Sequence, residues 1–272
     1  MKPQKIFDMK ITKMILAAML AIGSYAASAQ NTDDDDLLEF EKEAANNDNG
    51  FHFSTEFATR DVWRGGFVSS AAFEPELSYS IGGLSIGTWA ACPLNSSNDH
   101  YNELDFYIEY AFDFGMSLML TDYCWNNAND KFEYFGKYKD NHLLEATLGY
   151  DLGAVCDNVP LSFNANTIVA GANRKENDDQ AFSTYMELVY APSLKNIDIS
   201  LTFGVAAEPE DAAMYSMKGG FNIVNIDLGL SHDFKIKNVA TLTVKTDLIC
   251  NPSGLNDDRG DAYAIGGIVI SF

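Results

Sequence analysis

The sequence predicts an all-β protein, a closed antiparallel transmembrane β-barrel of twelve strands that spans an outer membrane. Three observations favour this fold class. Apolar and polar residues alternate with a period of two after residue 50, which is the pattern of strands with one apolar and one polar face. No apolar run in that region is long enough for a membrane helix. Short and long connections mostly alternate along the chain between these segments, as they do in outer-membrane barrels.

The first 29 residues have the features of a cleaved secretory signal peptide. Lysines precede the apolar run 14–22, and Ala27-Ser28-Ala29 forms an A-x-A cleavage site before Gln30. No cysteine follows this site, so a lipid anchor is not predicted. Residues 30–50 are predicted to form an acidic periplasmic tail. Its run Asp33 to Asp36 lacks the spacing and the glycine of an EF-hand calcium loop.

Residues 51–272 are predicted to form the barrel. The first six alternating segments cover 51–57, 73–81, 84–90, 104–112, 116–125 and 142–152, and the last six cover 161–169, 182–190, 197–205, 221–231, 241–250 and 262–272. An even number of strands places both termini at the periplasmic end, together with the short turns. The longer polar loops, 93–100, 126–140, 171–180, 207–215 and 251–261, are then expected on the extracellular side.

The apolar face of the strands is predicted to contact lipid. Alternation alone also fits a soluble sandwich or a lipocalin, which hides its apolar face. However, aromatic residues of the apolar parity collect near the periplasmic ends of even-numbered strands, as a membrane girdle does: Tyr79, Tyr110, Phe112, Tyr150, Tyr190 and Phe272. The C-terminal Phe272 also resembles the recognition signal of outer-membrane proteins, which implies the barrel-assembly machinery as a partner.

The polar face predicts an acidic lumen. The formal net charge is −21, which argues against nucleic acid as a partner. Parity predicts these pore-lining residues: Arg60, Arg64, Glu74, Glu76, Glu103, Asp105, Glu109, Glu145, Glu187, Asp198, Asp227, Lys245 and Asp247. Crowded carboxylates in a wet tube attract cations. The sequence therefore predicts a porin-like channel that passes small hydrophilic solutes and favours cations.

An alternative is a barrel that does not conduct. Twelve strands lie between filled eight-stranded barrels and open sixteen-stranded ones, so basic residues of the wall can tie the carboxylates into structural ion pairs and seal the lumen. Such a barrel would act structurally or bind a sugar or a protein through the aromatic, amide-rich loop 126–140.

No catalytic residue, cofactor or metal site is predicted. The four histidines, His52, His100, His142 and His232, stand in no recognisable motif. His142 has outward parity, but no serine faces it from the neighbouring strands. Ser96, Ser97, Asp99 and His100 share one loop, where adjacent residues seldom converge as a triad. The four cysteines, Cys92, Cys124, Cys156 and Cys250, are predicted as buried or lipid-facing residues rather than disulfide partners.

A series of short motifs resembles the TorF-type putative porins of Gram-negative outer membranes. The series begins with Arg60-Asp61-Val62-Trp63-Arg64-Gly65 and continues with Glu74-Pro75, Gly87-Thr88-Trp89, Tyr101-x-Glu103-x-Asp105, Thr121-Asp122-Tyr123, His142-x-x-Glu145, Tyr185-x-Glu187-x-x-Tyr190 and Asn251-Pro252. The resemblance covers residues 51 to 272 and implies a small outer-membrane barrel without an established substrate. Glu74 stands where the family often has Gln. From their place near the outer rim, Arg60 and Arg64 are expected to pair with Glu103 or Asp105, either organising the pore mouth or stabilising it.

Overall fold

The described part of the chain forms one closed β-barrel. The computed structural model describes residues 49–95, 100–156, 159–237, 239–254 and 261–272. The predicted signal peptide and almost all of the predicted acidic tail lie outside these residues. In the described residues, no helix is long and apolar enough to cross a membrane.

Twelve strands follow one another around the barrel. They are β1 (Gly50–Trp63), β2 (Gly66–Ile81), β3 (Leu84–Pro93), β4 (Tyr101–Ala111), β5 (Met116–Asn127), β6 (His142–Asp151), β7 (Leu161–Gly171), β8 (Thr184–Tyr190), β9 (Ile197–Glu208), β10 (Gly220–Ile236), β11 (Ala240–Cys250) and β12 (Ala262–Ser271). A two-residue segment, Ser193–Leu194, continues β8 along β9. The only helical pieces of the described residues are α1 (Tyr138–Asn141) and a 3₁₀ turn at Glu210–Ala212.

Each strand pairs with its two neighbours in an antiparallel ladder, and β1 closes the ring by pairing with β12. The closing ladder runs from Ser54 opposite Ser271 to Ala58 opposite Gly267. At its end, the backbone N–H of Phe272 donates to the carbonyl oxygen of Phe53 at 2.8 Å. The twelve-stranded antiparallel barrel predicted from the alternation is confirmed.

The two ends of the barrel differ in their connections. At the end where β1 begins and β12 ends, the connections are 82–83, 112–115, 152–160, 191–196 and 237–239. At the other end, they are 94–100, 128–141, 172–183, 209–219 and 251–261, together with the tight turn 64–65. We call this second end the loop end. The two-residue β1–β2 turn is an exception to the expectation that the connections at this end are the longer ones.

That turn has an unusual backbone. Arg64 and Gly65 both have positive φ, 51° and 81°. Positive φ at both central residues is the property of a type I′ hairpin, whose twist matches that of the strands and whose first position favours Asn, Asp or Gly. A β-bulge between Asp61 and Val62 shifts the register just before the turn. The turn is thus held in a conformation that is costly for an arginine.

The outward faces of the strands are apolar and exposed. On β4, for example, Phe106, Ile108 and Tyr110 are 46%, 44% and 44% exposed. The same pattern recurs around the barrel at Leu118, Leu120, Leu148, Leu188, Leu201, Phe203, Leu228, Leu230, Val244, Leu248 and Ile268. Apolar surface on this scale marks an interaction face, because soluble monomers rarely expose large contiguous apolar patches.

Candidate functional site

The candidate site is the interior of the barrel. Twelve of the thirteen predicted pore-lining residues lie on strands, and Arg64 lies in the β1–β2 turn. Three cavities are lined by members of this set. One, of about 200 Å³, contains Arg60, Glu74, Asp227, Lys245 and Asp247 in its wall. Another, of about 360 Å³, contains Asp198, Lys245 and Asp247. A third, of about 280 Å³, contains Glu109.

The other predicted wall residues make local contacts. Glu76 accepts a hydrogen bond of 2.6 Å from the Tyr107 hydroxyl. Glu187 accepts hydrogen bonds of 3.0 Å each from the Asn164 side-chain amide and the Tyr185 hydroxyl. Glu103 and Asp105 are buried, with 8% and 4% of their surface exposed.

Arg64 and Glu145 form an ion pair across the barrel interior. Nη1 of Arg64 donates to Oε2 of Glu145 at 2.5 Å, and Nη2 donates to Oε1 at 2.8 Å. The Glu145 side chain is 0% exposed. Because β1 and β6 lie five strands apart in a ring of twelve, the pair spans nearly the full width of the interior. The expectation that Arg64 pairs with Glu103 or Asp105 is wrong, because both Nη atoms of Arg64 donate to the carboxylate of Glu145 instead.

Aromatic rings surround this ion pair. The guanidinium carbon of Arg64 lies 4.5 Å from the centroid of the Trp63 ring and 4.6 Å from that of Tyr185. The Trp63 ring also contacts Tyr123 and Tyr215, with centroids 5.6 and 5.3 Å apart. Rings of this kind attract a cation through their faces, most strongly where water is excluded. We call Trp63, Arg64, Tyr123, Glu145, Tyr185 and Tyr215 the Arg64 cluster.

Two tyrosine hydroxyls complete the hydrogen bonding of the Arg64 cluster. Tyr123 donates to Oε1 of Glu145 at 3.0 Å, and the hydroxyl oxygen of Tyr215 accepts from Nη1 of Arg64 at 2.8 Å. Burial raises the pKa of the Tyr215 hydroxyl, so this group stays neutral at ordinary pH. The buried carboxylate of Glu145 therefore has both a bidentate partner in Arg64 and a hydroxyl donor in Tyr123. A stable buried charge requires such a set of partners.

The loop after β9 delivers Tyr215 to the cluster. The carboxylate of Glu208, at the end of β9, accepts from the backbone N–H groups of Met214 and Tyr215, the latter at 2.8 Å. It also accepts from the Ser216 hydroxyl at 2.8 Å. Glu208 is only 7% exposed. One buried carboxylate thus folds this loop inward over the interior.

A pocket of about 330 Å³ adjoins the cluster at the loop end. Its wall is largely aromatic and includes Trp63, Phe67, Tyr101, Trp125, Met214 and Tyr215. The aromatic pocket at the Arg64 cluster is thus distinct from the cavities lined by the predicted wall residues.

A second polar cluster lies on the outer wall. Nδ1 of His142 lies 3.1 Å from Oδ1 of Asp122, and Nε2 lies 2.7 Å from the carbonyl oxygen of Tyr134. The hydroxyls of Tyr134 and Tyr138 donate to the same Asp122 carboxylate at 2.7 and 2.6 Å. The loop 128–141 is thereby fastened to the barrel. Because Nε2 faces a carbonyl oxygen, it is not placed to activate a nucleophile.

The residues of the 93–100 loop, the predicted aromatic girdle and the four cysteines do not belong to the Arg64 cluster. In the 93–100 loop, residues 96–99 lie outside the described residues, and His100 is buried between Asn95 and Ser70. The predicted girdle residues Tyr79, Tyr110, Tyr150, Tyr190 and Phe272 are 37–51% exposed at the end where β1 begins and β12 ends, and Phe112 packs on Tyr110 with ring centroids 4.8 Å apart. The four cysteines are free thiols, and only Cys124 is buried.

Sequence reasoning missed the aromatic part of the site. Trp63, Tyr123, Tyr185 and Tyr215 point inward, whereas parity arguments assigned the interior to charged residues. One signal was available, since the motifs W-R-G, T-D-Y, H-x-x-E and Y-x-E each contribute a member of the Arg64 cluster. These segments lie far apart along the chain but meet in the interior.

No protein-family profile and no curated protein matches the chain. Among solved structures, it is similar to the NanC porin with 10% identity and a TM-score of 0.45, covering 82% of this chain and 99% of that one. It is also similar to Salmonella typhi OmpF in complex with daunomycin, with 18% identity and a TM-score of 0.37, covering 78% of this chain and 66% of that one. A third similar structure is the outer membrane channel DcaP of Acinetobacter baumannii, with 11% identity and a TM-score of 0.33, covering 82% of this chain and 71% of that one. Similarities at this level carry no functional argument for the chain.

Proposed function

We propose that the chain is an outer-membrane channel that passes small hydrophilic solutes and favours cations over anions. The observation that carries this proposal is the excess of carboxylates over basic groups around one interior cavity. The cavity of about 200 Å³ is lined by Glu56, Asp61, Glu74, Asp227 and Asp247 against Arg60 and Lys245. A wall with this excess of carboxylates lowers the free energy of a cation in the lumen and raises that of an anion.

The outer surface supports a membrane location. An exposed apolar face on successive strands suits hydrocarbon, and a closed ring leaves no strand edge unpaired in lipid. In the orientation that we propose, the end where β1 begins and β12 ends faces the periplasm, together with both termini, and the loop end faces the exterior. Outer-membrane lipid is then the partner of the apolar face, and the barrel-assembly machinery is the proposed partner of the Phe272 terminus.

Ion selectivity tests the channel. The mature protein is refolded into a planar bilayer with a KCl gradient, and the reversal potential of single-channel currents is measured. We expect the sign that corresponds to cation preference. The variant Asp227→Asn/Asp247→Asn removes two wall charges and should move the reversal potential toward zero.

A matched control removes the same number of negative charges, two, from positions outside the lumen. Asp130→Asn/Asp178→Asn changes two exposed loop carboxylates and should leave the reversal potential unchanged. A channel that prefers anions, or a wall variant with the selectivity of the wild type, would reject the cation preference.

A second candidate is a barrel that does not conduct and binds a ligand at its loop end. The observation that favours it is the Arg64–Glu145 pair, which crosses the interior under the aromatic pocket. A folded protein that gives no current, and that begins to conduct when Arg64 is replaced, would favour this candidate. Neither candidate assigns a catalytic step to the chain.

A further inference from the structure

The aromatic pocket at the loop end has five rings in its wall, those of Trp63, Phe67, Tyr101, Trp125 and Tyr215. Tyr101 is 43% exposed, and Trp63, Phe67 and Trp125 are half-buried. A share of the surface of these four rings therefore stays accessible. The volume of the pocket, about 330 Å³, is within the range of sites that hold small molecules.

The rings of this wall meet at steep angles. The planes of Trp63 and Trp125 make an angle of 71°, with ring centroids 5.6 Å apart. Those of Trp63 and Tyr215 make an angle of 48°, with centroids 5.3 Å apart. A flat ligand can stack on only one of two faces that meet at such an angle, whereas a compact, rounded group can contact both. The geometry thus favours a compact ligand over a planar one.

The wall of the aromatic pocket offers few polar groups to a ligand. Its polar side-chain groups are the Arg64 guanidinium, two tyrosine hydroxyls and two indole N–H groups. The guanidinium already donates to the hydroxyl oxygen of Tyr215 and to the carboxylate of Glu145. A sugar has many hydroxyls, and each of them needs a partner when it leaves water. The wall therefore favours a ligand that needs few hydrogen bonds.

Two of these rings already stabilise a cation in the Arg64 cluster. The guanidinium carbon of Arg64 lies 4.5 Å from the ring centroid of Trp63 and 5.5 Å from that of Tyr215, and both rings line the aromatic pocket. The positive charge of Arg64 is balanced by the carboxylate of Glu145, to which both Nη atoms donate. The ion pair therefore leaves no net charge that would repel a second cation from the pocket.

The surrounding charge favours a cationic ligand over a neutral or an anionic one. The chain has a formal net charge of −21. On β1, Asp61 lines the carboxylate-rich cavity of about 200 Å³, and Trp63 lines the aromatic pocket. Two residues of a strand span roughly 7 Å, which is shorter than the Debye length of about 8 Å at physiological ionic strength. The excess of carboxylates around that cavity therefore attracts positive charge toward the pocket.

We propose that the aromatic pocket binds an organic cation whose charge is covered by alkyl groups, that is, a quaternary ammonium ion. Such an ion presents a compact apolar surface to the angled rings and needs no hydrogen-bond partner. It is also attracted to the faces of Trp and Tyr rings. The inference rests on the proposed function in one respect, since both depend on the negative charge of the interior. It adds a discrete site and a ligand class to a diffuse preference of the wall for cations.

The test is a titration of choline into the refolded mature protein, in which choline chloride replaces NaCl so that the ionic strength stays constant. The detergent must be non-ionic, because many zwitterionic detergents carry quaternary ammonium head groups themselves. Of the three tryptophans, Trp63 and Trp125 line the pocket, so tryptophan fluorescence reports binding there, and calorimetry gives the affinity. We expect one saturable site.

The matched ligand control is the neutral alcohol in which a carbon atom replaces the charged nitrogen of choline. The two molecules have the same shape and differ in charge. A cation–π contribution of the usual size should make choline bind about tenfold more tightly than the alcohol. Equal affinities for the two ligands would overturn the assignment of a cation to the pocket.

Variants of Tyr101 test the position of the site, because this residue is exposed enough to be replaced without unfolding the barrel. Tyr101→Leu removes the ring and should weaken choline binding by about threefold or more. Tyr101→Phe keeps the ring and should bind choline as the wild type does. Phe135→Leu is the control, because Phe135 is 97% exposed on the loop 128–141 and lies outside the pocket wall. A wild-type protein without saturable choline binding, or Tyr101→Leu with wild-type affinity, would overturn the inference.

The two proposals fail in different ways. Saturable choline binding by a barrel that never conducts would keep the site in the aromatic pocket and reject the channel. Cation-selective currents from a protein without saturable choline binding would keep the channel and reject the site.

Discussion

Arg64 and Glu145 connect two opposite walls of the barrel through a bidentate ion pair with distances of 2.5 and 2.8 Å. The arginine belongs to the two-residue turn between β1 and β2, and the glutamate is the fourth residue of β6. The left-handed backbone at Arg64 is unfavourable for a long side chain. Such strain persists only where surrounding contacts hold it, and here the ion pair and the aromatic rings supply those contacts.

Removing the arginine is expected to destabilise the barrel and widen its interior. Arg64→Asn keeps a residue that suits the hairpin but leaves the carboxylate of Glu145, which is 0% exposed, without its charged partner. Loss of one member of a buried pair typically costs about 3–5 kcal/mol. We expect a lower urea midpoint for unfolding and a larger single-channel conductance than in the wild type.

The double variant Arg64→Asn/Glu145→Gln is the control for that experiment. It removes the unpaired charge, so part of the lost stability should return while the conductance stays high. Equal stability of the single and double variants would mean that the charge of Glu145 is not what makes the single variant unstable.

Gly65 is expected to tolerate no side chain. A Cβ at Gly65 would collide with the carbonyl oxygen of Val224 on β10, and its φ of 81° disfavours other residues. Gly65→Ala should therefore lower stability by about 2–4 kcal/mol through the clash and the strained backbone. Gly82→Ala is the matched control, because Gly82 also has positive φ but has open space around it. Gly82→Ala should lower the free energy of unfolding by about 1 kcal/mol. Equal losses of stability in the two variants would contradict the close approach of Gly65 to Val224. Urea unfolding measures both.

Lys245 is expected to weaken cation preference in the wild-type protein. Its ammonium group pairs with Glu56 at 2.9 Å, and Lys245 lines the cavities of about 200 and 360 Å³. Lys245→Met removes the positive charge and leaves the acids, so the reversal potential in a KCl gradient should shift further toward cation selectivity. Lys131→Met, in an exposed loop, should not shift it. A decrease in cation preference for Lys245→Met would contradict the acidic lumen.

The loop 128–141 is expected to loosen when Asp122 loses its charge. Asp122 accepts hydrogen bonds from His142, Tyr134 and Tyr138, and the other ring nitrogen of His142 contacts the carbonyl oxygen of Tyr134. Asp122→Asn should speed tryptic cleavage in this loop by about tenfold, given the usual strength of hydrogen bonds to charged groups.

The control for loop cleavage is Asp178→Asn, which removes only the exposed pair with Lys139. Exposed pairs contribute little, so the cleavage rate should change by less than about twofold. Cleavage at the same rate in Asp122→Asn as in the wild type would show that other contacts hold the loop.

The fold was predictable because the period of two is a local property of each strand. Segments such as 104–112 and 241–250 nearly coincide with β4 (Tyr101–Ala111) and β11 (Ala240–Cys250). The first strand was predicted too short, over 51–57, because the apolar parity continues after Phe57 with Thr59 and Asp61, although β1 runs on to Trp63. A β-bulge then shifts the register with β2 between Asp61 and Val62. A bulge adds one residue to one strand, and parity cannot be followed through it.

The interior was less predictable, because its contacts depend on which walls face each other. The pairing of Lys245 with Glu56 joins residues that lie 189 positions apart, and that of Arg64 with Glu145 joins residues 81 apart. Alternation tells which side of a strand a residue occupies, but not its partner across the ring. The inward fold of the 209–219 loop likewise depends on Glu208, whose role only appears once β9 and the loop are in place.

The inward position of the β1–β2 turn has a consequence for the order of assembly. Hairpins between neighbouring strands form from local contacts, whereas contacts between distant segments form late because of the entropy of closing long loops. Arg64 is synthesised early but meets its partner only after β6 has joined the sheet, and Gly65 meets β10 only when the ring nears closure. A partly assembled barrel is therefore hollow and hydrated at this level, and water leaves the Arg64 cluster in one of the last steps of folding.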